Sequence, residues 1–356
     1  MKMKRFSILL MAICLVVALC SCGQSGGGSS APAPTPGSSA APAPSQSDAK
    51  PIEIKLTTTD PSTAVTVTEL HNTAKRISER TNGMVDIQVY PDGQMLVYQE
   101  GVEALMSNAN LIMNASASYF SDYVPVMGTV LSPYLFDSRE IAAEFFVSDY
   151  WDSIVEECKA KGFYPICNNG LIGYRSVIAS TPVNTLADMQ KLDLRIPASD
   201  VMIQLFNALG VNYQTLAFAD TFSACQTGMI DGLEGVPLTI TSNSLWDCLK
   251  PCVYSKTNHT LDVYGMFVGY DFWMSIPEEY RTVIEEELTQ WGIDATAACV
   301  HEEETTIAGT LAEHDVQVVE IADLSEFKAA AEKVITNQPR GQEVLEQVNS
   351  IAAKLG

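Results

Sequence analysis

Basic charge, histidine and recognisable catalytic signatures are what this 356-residue sequence has least of. Lysine and arginine number 21 against 43 aspartates and glutamates, for a net charge of −22. A surface this acidic repels phosphate backbones, which excludes nucleic acid as a partner. The charge reads as what keeps an exported protein soluble, and any anionic ligand must be met by pre-placed arginines rather than by long-range attraction. The sequence has no G-x-S-x-G, no phosphate-binding P-loop, no G-x-G-x-x-G and no H-E-x-x-H. Its histidines, His71, His259, His301 and His314, are scattered, and His301 and His314 fall beside glutamates on what reads as a solvated helix face. Asp231 and Glu234 are spaced as a carboxylate pair but flank the end of a short strand with no evident partner. An extracytoplasmic hydrolase would need a nucleophile and base that are not in evidence, so the expectation is a binding protein, not an enzyme, with no cofactor and no metal.

Long apolar runs are also scarce, and the clearest one is at the start. Met1 to Arg5 is a basic segment, and Phe6 to Leu19 is apolar, suited to export but short of the roughly 20 residues that a membrane span needs. Residues 1–21 therefore read as a signal peptide. The run Leu19-Cys20-Ser21-Cys22 resembles a lipobox, with Cys22 as the lipidated residue, because the small Ser21 precedes it whereas the bulky Leu19 precedes Cys20. Residues 22–50 are Gly, Ser, Ala, Pro and Gln with little to bury, a tether with a reach of roughly 30 Å. The protein is expected outside the cell or in the periplasm, held to the membrane by its N-terminal lipid. Six cysteines remain beyond the export segment. Cys248 and Cys252 are spaced C-x3-C without a second pair, a weak metal signal, so buried thiols or one or two disulfides are expected.

From residue 51, with 47% hydrophobic and 18% charged residues overall, there is enough chain for two domains with their own cores. Ile52, Ile54 and Leu56 alternate as in a half-buried strand, and Val67, Leu70, Ala74 and Ile77 mark one helix face ending before Gly83. Val85, Ile87 and Val89 form the next strand, Tyr98 to Ser107 a helix, and Leu111 to Asn114 another strand. Ligands of open α/β sheets collect beyond the carboxyl ends of strands, so Thr58, Asn114 and Ser116 are rim candidates. A second such unit follows, with strand-like pieces at Val177 to Ala179, Leu194 to Ile196 and Met229-Ile230, and helices stopped by Gly210 and Gly228. Leu261 to Met274 reads as one or two strands. Ser275-Ile-Pro-Glu278 reads as a capping box opening a helix to about Glu313, long enough to brace two domains. Val316 to Ile321 is a strand, Ser325 caps a helix to about Ile335, and an amphipathic helix carrying Val344, Val348 and Leu355 closes the chain.

Arg175 and Arg195 each sit beside or inside a short apolar strand, where a guanidinium is desolvated unless an anion meets it. The surrounding pieces are E-R-T-N-G-M-V-D-I-Q-V-Y-P-D-G-Q at 79–94, P-Y-L-F at 133–136, G-Y-R-S at 173–176, A-D-M-Q-K-L-D-L-R-I-P at 187–197, A-L-G at 208–210 and A-C-Q-T-G-M-I-D-G-L-E at 224–234. In that order they resemble the extracytoplasmic solute-binding proteins of TRAP (tripartite ATP-independent periplasmic) transporters, over about residues 51–335.

The resemblance implies an α/β, two-domain, periplasmic-binding-protein-like fold with a long helix spanning both domains. Residues 51–172 with about 261–300 would form one domain, and 173–260 with about 301–356 the other. It implies a small carboxylate ligand held between them and membrane permease subunits as partners; a receptor of the same fold passing its ligand to a signalling protein is the alternative. Arg195 at the L-R-I-P position would pair with the ligand carboxylate, Arg175 would support it, and Phe218 would pack on the ligand. Asn169 and Glu234 complete the candidates, with Gly235, which stands where many members carry Asn. Met95-Leu96-Val97 in place of the usual Leu-Gly-Gly is a second departure. Together these departures point away from the commonest dicarboxylate and sialic-acid ligands.

Overall fold

Strand β1, Ile52–Thr57, alternates as its sequence demands: Ile54 and Leu56 are buried while Glu53 and Lys55 face water. The computed structural model describes residues 50–356, so the signal peptide, Cys22 and nearly all of the tether lie outside the described residues. β2 (Val85–Tyr90) and β3 (Leu111–Ser116) flank β1 in parallel register, and the helix Val65–Arg80 lays Val67, Leu70 and Ile77 over them. Two 17-residue strands follow, β4 (Phe163–Ala179) and β8 (Val253–Gly269), which pair antiparallel along their length. β5 (Asp193–Ile196), β6 (Asn212–Thr215) and β7 (Gly232–Gly235) pair beyond the second end of β4, and β9 (Gln317–Glu320) joins the start of β8. The described strands make one sheet in the order β2-β1-β3-β8-β4-β7-β5-β6, with β9 on β8.

β4 and β8 thus cross from one half of the sheet to the other. Their pairing slips at several points. Between Arg175 and Val177 the chain advances two residues while β8 advances five, from Thr260 to Ser255. A bulge re-aims the side chains beside it, and this one lies next to Arg175 and His259.

The helix Glu278–Glu313 runs along the molecule for 36 residues, about 54 Å at 1.5 Å per residue. It packs on β4 and on the helix Val65–Arg80. Trp291 is fully buried there, and Arg76 reaches Glu287 at 2.5 Å and Asp294 at 3.2 Å. Farther along, Arg139 grips both oxygens of Glu303 at 2.8 and 2.9 Å. Separate apolar clusters serve the two ends of the sheet: Ile54, Leu70 and Trp291 belong to one, and Ile178, Leu233 and Leu311 to another.

Several local expectations are corrected. Met229 is 62% exposed in a turn, and the strand begins only at Gly232, because the helix Thr221–Thr227 still has to be closed by Gly228 in the left-handed conformation (φ 71°). The apolar run after Leu261 is the second half of β8 up to Gly269 and then a short helix, Tyr270–Ser275. The Ser275 hydroxyl donates to the Phe272 carbonyl, so no capping box forms and Pro277 holds the N-cap position. Likewise Ser325 is the first helical residue, and its N–H donates to Asp323. The strands at 163–172 and 253–260 carry no clean alternation and escape a period-based reading. The six described cysteines are free thiols, all buried except the half-buried Cys248.

Candidate functional site

Between the two halves of the sheet lies a cavity of about 110 Å³. The ends of β1 and β3 supply Asp60, Asn114 and Ser116, and the crossing strands supply Arg175, Asp262 and Tyr264. β5 and β7 bring Arg195 and Glu234, and Phe218 comes from the turn after β6. Tyr98 and Phe218 also wall a neighbouring cavity of about 330 Å³. The Phe218 N–H donates to the Tyr98 hydroxyl at 3.1 Å, and the Thr63 hydroxyl donates to the Ser242 carbonyl at 3.1 Å, so segments far apart in sequence are tied together around the site.

Arg195 is only 3% exposed. Its Nε and Nη2 donate to the Leu216 carbonyl at 2.9 and 2.8 Å, and its guanidinium carbon sits 5.5 Å from the Phe218 ring centre. These bonds occupy two of the five N–H donors of a guanidinium. Among the described residues no carboxylate forms an ion pair with it. Burial lowers its pKa from the ordinary value, the sign of a charge short of compensation.

Arg175 is in the opposite condition. It forms a fork on Glu234 through Nε and Nη2, the latter at 2.6 Å to Oε1, and gives Nη1 to Asp262 at 2.7 Å. Glu234, fully buried, also lies 3.4 Å from Nε2 of the buried His259, whose Nδ1 is 2.9 Å from Thr257 Oγ1. Burial works against the Glu234 charge, but Arg175 and His259 outweigh it and hold the carboxyl down at about 2. Asp262 moves the other way despite its ion pair, raised by burial and by Glu234 in competition for the same guanidinium. One guanidinium thus serves two carboxylates, and none of its charge is left for a third.

Other candidates fall into three groups. Asn114 and Ser116 line the cavity. Thr58 stands behind them, its hydroxyl donating to Asn114 Oδ1 at 3.1 Å, so it orients Asn114 and does not line the cavity. Asn169 and Gly235 are placed elsewhere. The Asn169 amide donates to the Thr289 carbonyl at 2.9 Å and packs against Gly292 on the long helix. Gly235 pairs with Ser176 inside the sheet, and a Cβ there would meet Thr239 Oγ1 at 2.8 Å, so Thr239 fills the room that a side chain would need. Asp60, Tyr98, Tyr119, His259, Asp262 and Tyr264 were not singled out by sequence. Asp60 is the one with a usable signal, because it ends the same Thr-Thr-Thr-Asp run as Thr58.

A mixed sheet crossed by two long strands, braced by one helix and enclosing a buried, uncompensated arginine is the build of a two-domain solute-binding receptor. The chain belongs to the bacterial extracellular solute-binding protein family 7 (DctP), whose pattern it matches over residues 56–340. It is similar to the C4-dicarboxylate-binding periplasmic protein DctP of Rhodobacter capsulatus, 28% identical over 274 residues that cover 76% of this chain and 79% of that one. Among solved structures it is similar to a TRAP periplasmic solute binding protein from Fusobacterium nucleatum with bound sn-glycerol-3-phosphate (27% identity, TM-score 0.81, covering 85% of this chain and 99% of that one). A Shewanella oneidensis TRAP solute binding protein with bound succinate has the same fold (21% identity, TM-score 0.78, covering 85% and 99%). The protein is thus a TRAP-type extracytoplasmic solute-binding receptor, and no described helix is long and apolar enough to cross a membrane.

Proposed function

We propose that this protein captures a small organic acid in the cavity between its two lobes, with Arg195 as the carboxylate anchor, and delivers it to a TRAP permease. The observation that carries the reading is that Arg195 lines the cavity, is buried, and has no carboxylate partner among the described residues. Its remaining edge, between Nη1 and Nη2, offers two parallel charge-assisted hydrogen bonds to an incoming carboxylate. Phe218 packs against the guanidinium and keeps water from it. Asn114 and Ser116 supply neutral polar contacts, whereas Arg175 and Glu234 shape the wall as a neutralised pair. The succinate and glycerol phosphate of the similar structures are anions of suitable size. In this reading residues 51–172 with about 261–300 form one lobe and 173–260 with about 301–356 the other, and the lobes close by bending of β4 and β8. Residues 22–50 tether them to a lipidated Cys22 outside the membrane. The function is binding and hand-over without catalysis.

Truncating one member of a buried charge pair costs about 2–5 kcal/mol, so Arg195→Ala should weaken binding about 30-fold to several thousand-fold. Arg195→Lys keeps the charge but loses the planar fork, and a substantial loss follows there too. Titration calorimetry with an acid co-purified and identified by native mass spectrometry reads both, with circular dichroism confirming that the variants fold. Near-normal affinity in Arg195→Ala, or equal binding of the acid and its amide by the parent, would remove Arg195 from this role.

A further inference from the structure

We infer that the solute carries its negative charge at one end only and presents hydrogen-bond donors, hydroxyl or ammonium, at the other, so that dicarboxylates are rejected. The inference rests on Arg195 as the anchor for the charged end.

The charged side chains lining the cavity are Arg175, Arg195, Asp60, Glu234 and Asp262, two cations against three anions. Arg175 is spent on Glu234 and Asp262. Arg195 is thus the cation left for a ligand, and a second ligand carboxylate would find no cationic partner. It would instead meet Asp60 and Asp262. Asp60 has no cationic partner among the described residues; its Oδ2 accepts a hydrogen bond from the Thr66 hydroxyl at 2.6 Å. Burial pushes the Asp60 carboxyl up to about 6, partly offset by hydrogen bonds from Thr66 and Tyr264, so near neutral pH it is largely ionised, with acceptor sites left over and no cation beside them. A hydroxyl or ammonium group supplies what this carboxylate lacks, and a carboxylate there is repelled by it.

On this inference the chain shares its family with the C4-dicarboxylate-binding relatives but not their solute.

The test is a panel of length-matched trios differing only in the terminal group: succinate, 4-hydroxybutyrate and 4-aminobutyrate; then glutarate, 5-hydroxyvalerate and 5-aminovalerate. Polyhydroxy monoacids of four to six carbons and glycerol phosphate extend it. Binding is read by thermal shift and then calorimetry on the parent and on Asp60→Asn. The expected result is that a hydroxyl- or ammonium-bearing member binds at least about 100-fold more tightly than its dicarboxylate counterpart, the discrimination of a site built around hydrogen-bonded groups. Asp60→Asn should narrow that gap by improving dicarboxylate binding. It should weaken an ammonium ligand but largely spare a hydroxyl ligand, since the amide oxygen still accepts, which tells the two donors apart. A dicarboxylate that binds as tightly as its partners would overturn the inference while leaving the Arg195 reading intact. Failure of every anion in the panel to bind would overturn the organic-acid reading itself, and this inference with it.

Discussion

Removing Arg175 separates a structural guanidinium from a ligand-binding one, because the two roles predict opposite readouts. In Arg175→Ala, Glu234 with a fully buried side chain and Asp262 with one 9% exposed would face each other with no guanidinium between them. Breaking a buried pair by deleting one partner costs about 3–5 kcal/mol, which for a domain-sized unit lowers Tm by about 6–15 °C. The pH dependence fixes the cause. In the parent, Glu234 is held at about 2, below its unfolded value, so its contribution is present above the ordinary glutamate pKa and is lost as pH falls towards 2. Without Arg175, burial drives both carboxyls above their ordinary values, so the native state is penalised at neutral pH and relieved on acidification. The gap in Tm between parent and variant should therefore shrink from pH 7 to pH 4.5, and Glu234→Gln in the Arg175→Ala background should recover part of the loss. Differential scanning calorimetry across pH measures all of this. An unchanged Tm at pH 7 together with lost ligand binding would refute the reasoning and make Arg175 a second anchor.

Gly235→Asn, which restores the residue common in the resembling family, should destabilise the protein, since its Cβ would meet Thr239 Oγ1 at 2.8 Å; Gly235→Asn combined with Thr239→Ala should melt closer to the parent, and an undiminished Tm in the single variant would show that Thr239 moves freely. Cys22→Ala should abolish fatty-acid labelling and release the protein from membranes, since no described helix can span one; label retained in the variant would refute the lipid assignment.

The local pattern determined a good deal. Alternation in Ile52 to Leu56 and in Val85 to Val89, helical spacing from Val67 to Ile77 and stops at Gly210 and Gly228 depend on neighbours a few residues away, so they are legible in one dimension. Arg195 was legible for the same reason: apolar residues on both sides of it in a short strand force its guanidinium into a desolvated place. Long-range pairing was not. The fate of Arg175 depends on Glu234, 59 residues away, and Asp262, 87 away, and nothing near Arg175 in the sequence distinguishes a spent guanidinium from a free one. Asn169 looked like a cleft residue until the long helix took up its amide, and Gly235 looked like a missing contact until Thr239 filled the space. Charge compensation and space-filling are properties of three-dimensional neighbourhoods. The sequence alone placed two arginines in desolvated strands, and only the tertiary structure decided that Arg175 is taken up by Glu234 and Asp262, that Arg195 has no carboxylate partner among the described residues, and that Asp60, Glu234 and Asp262 share the cavity wall with it.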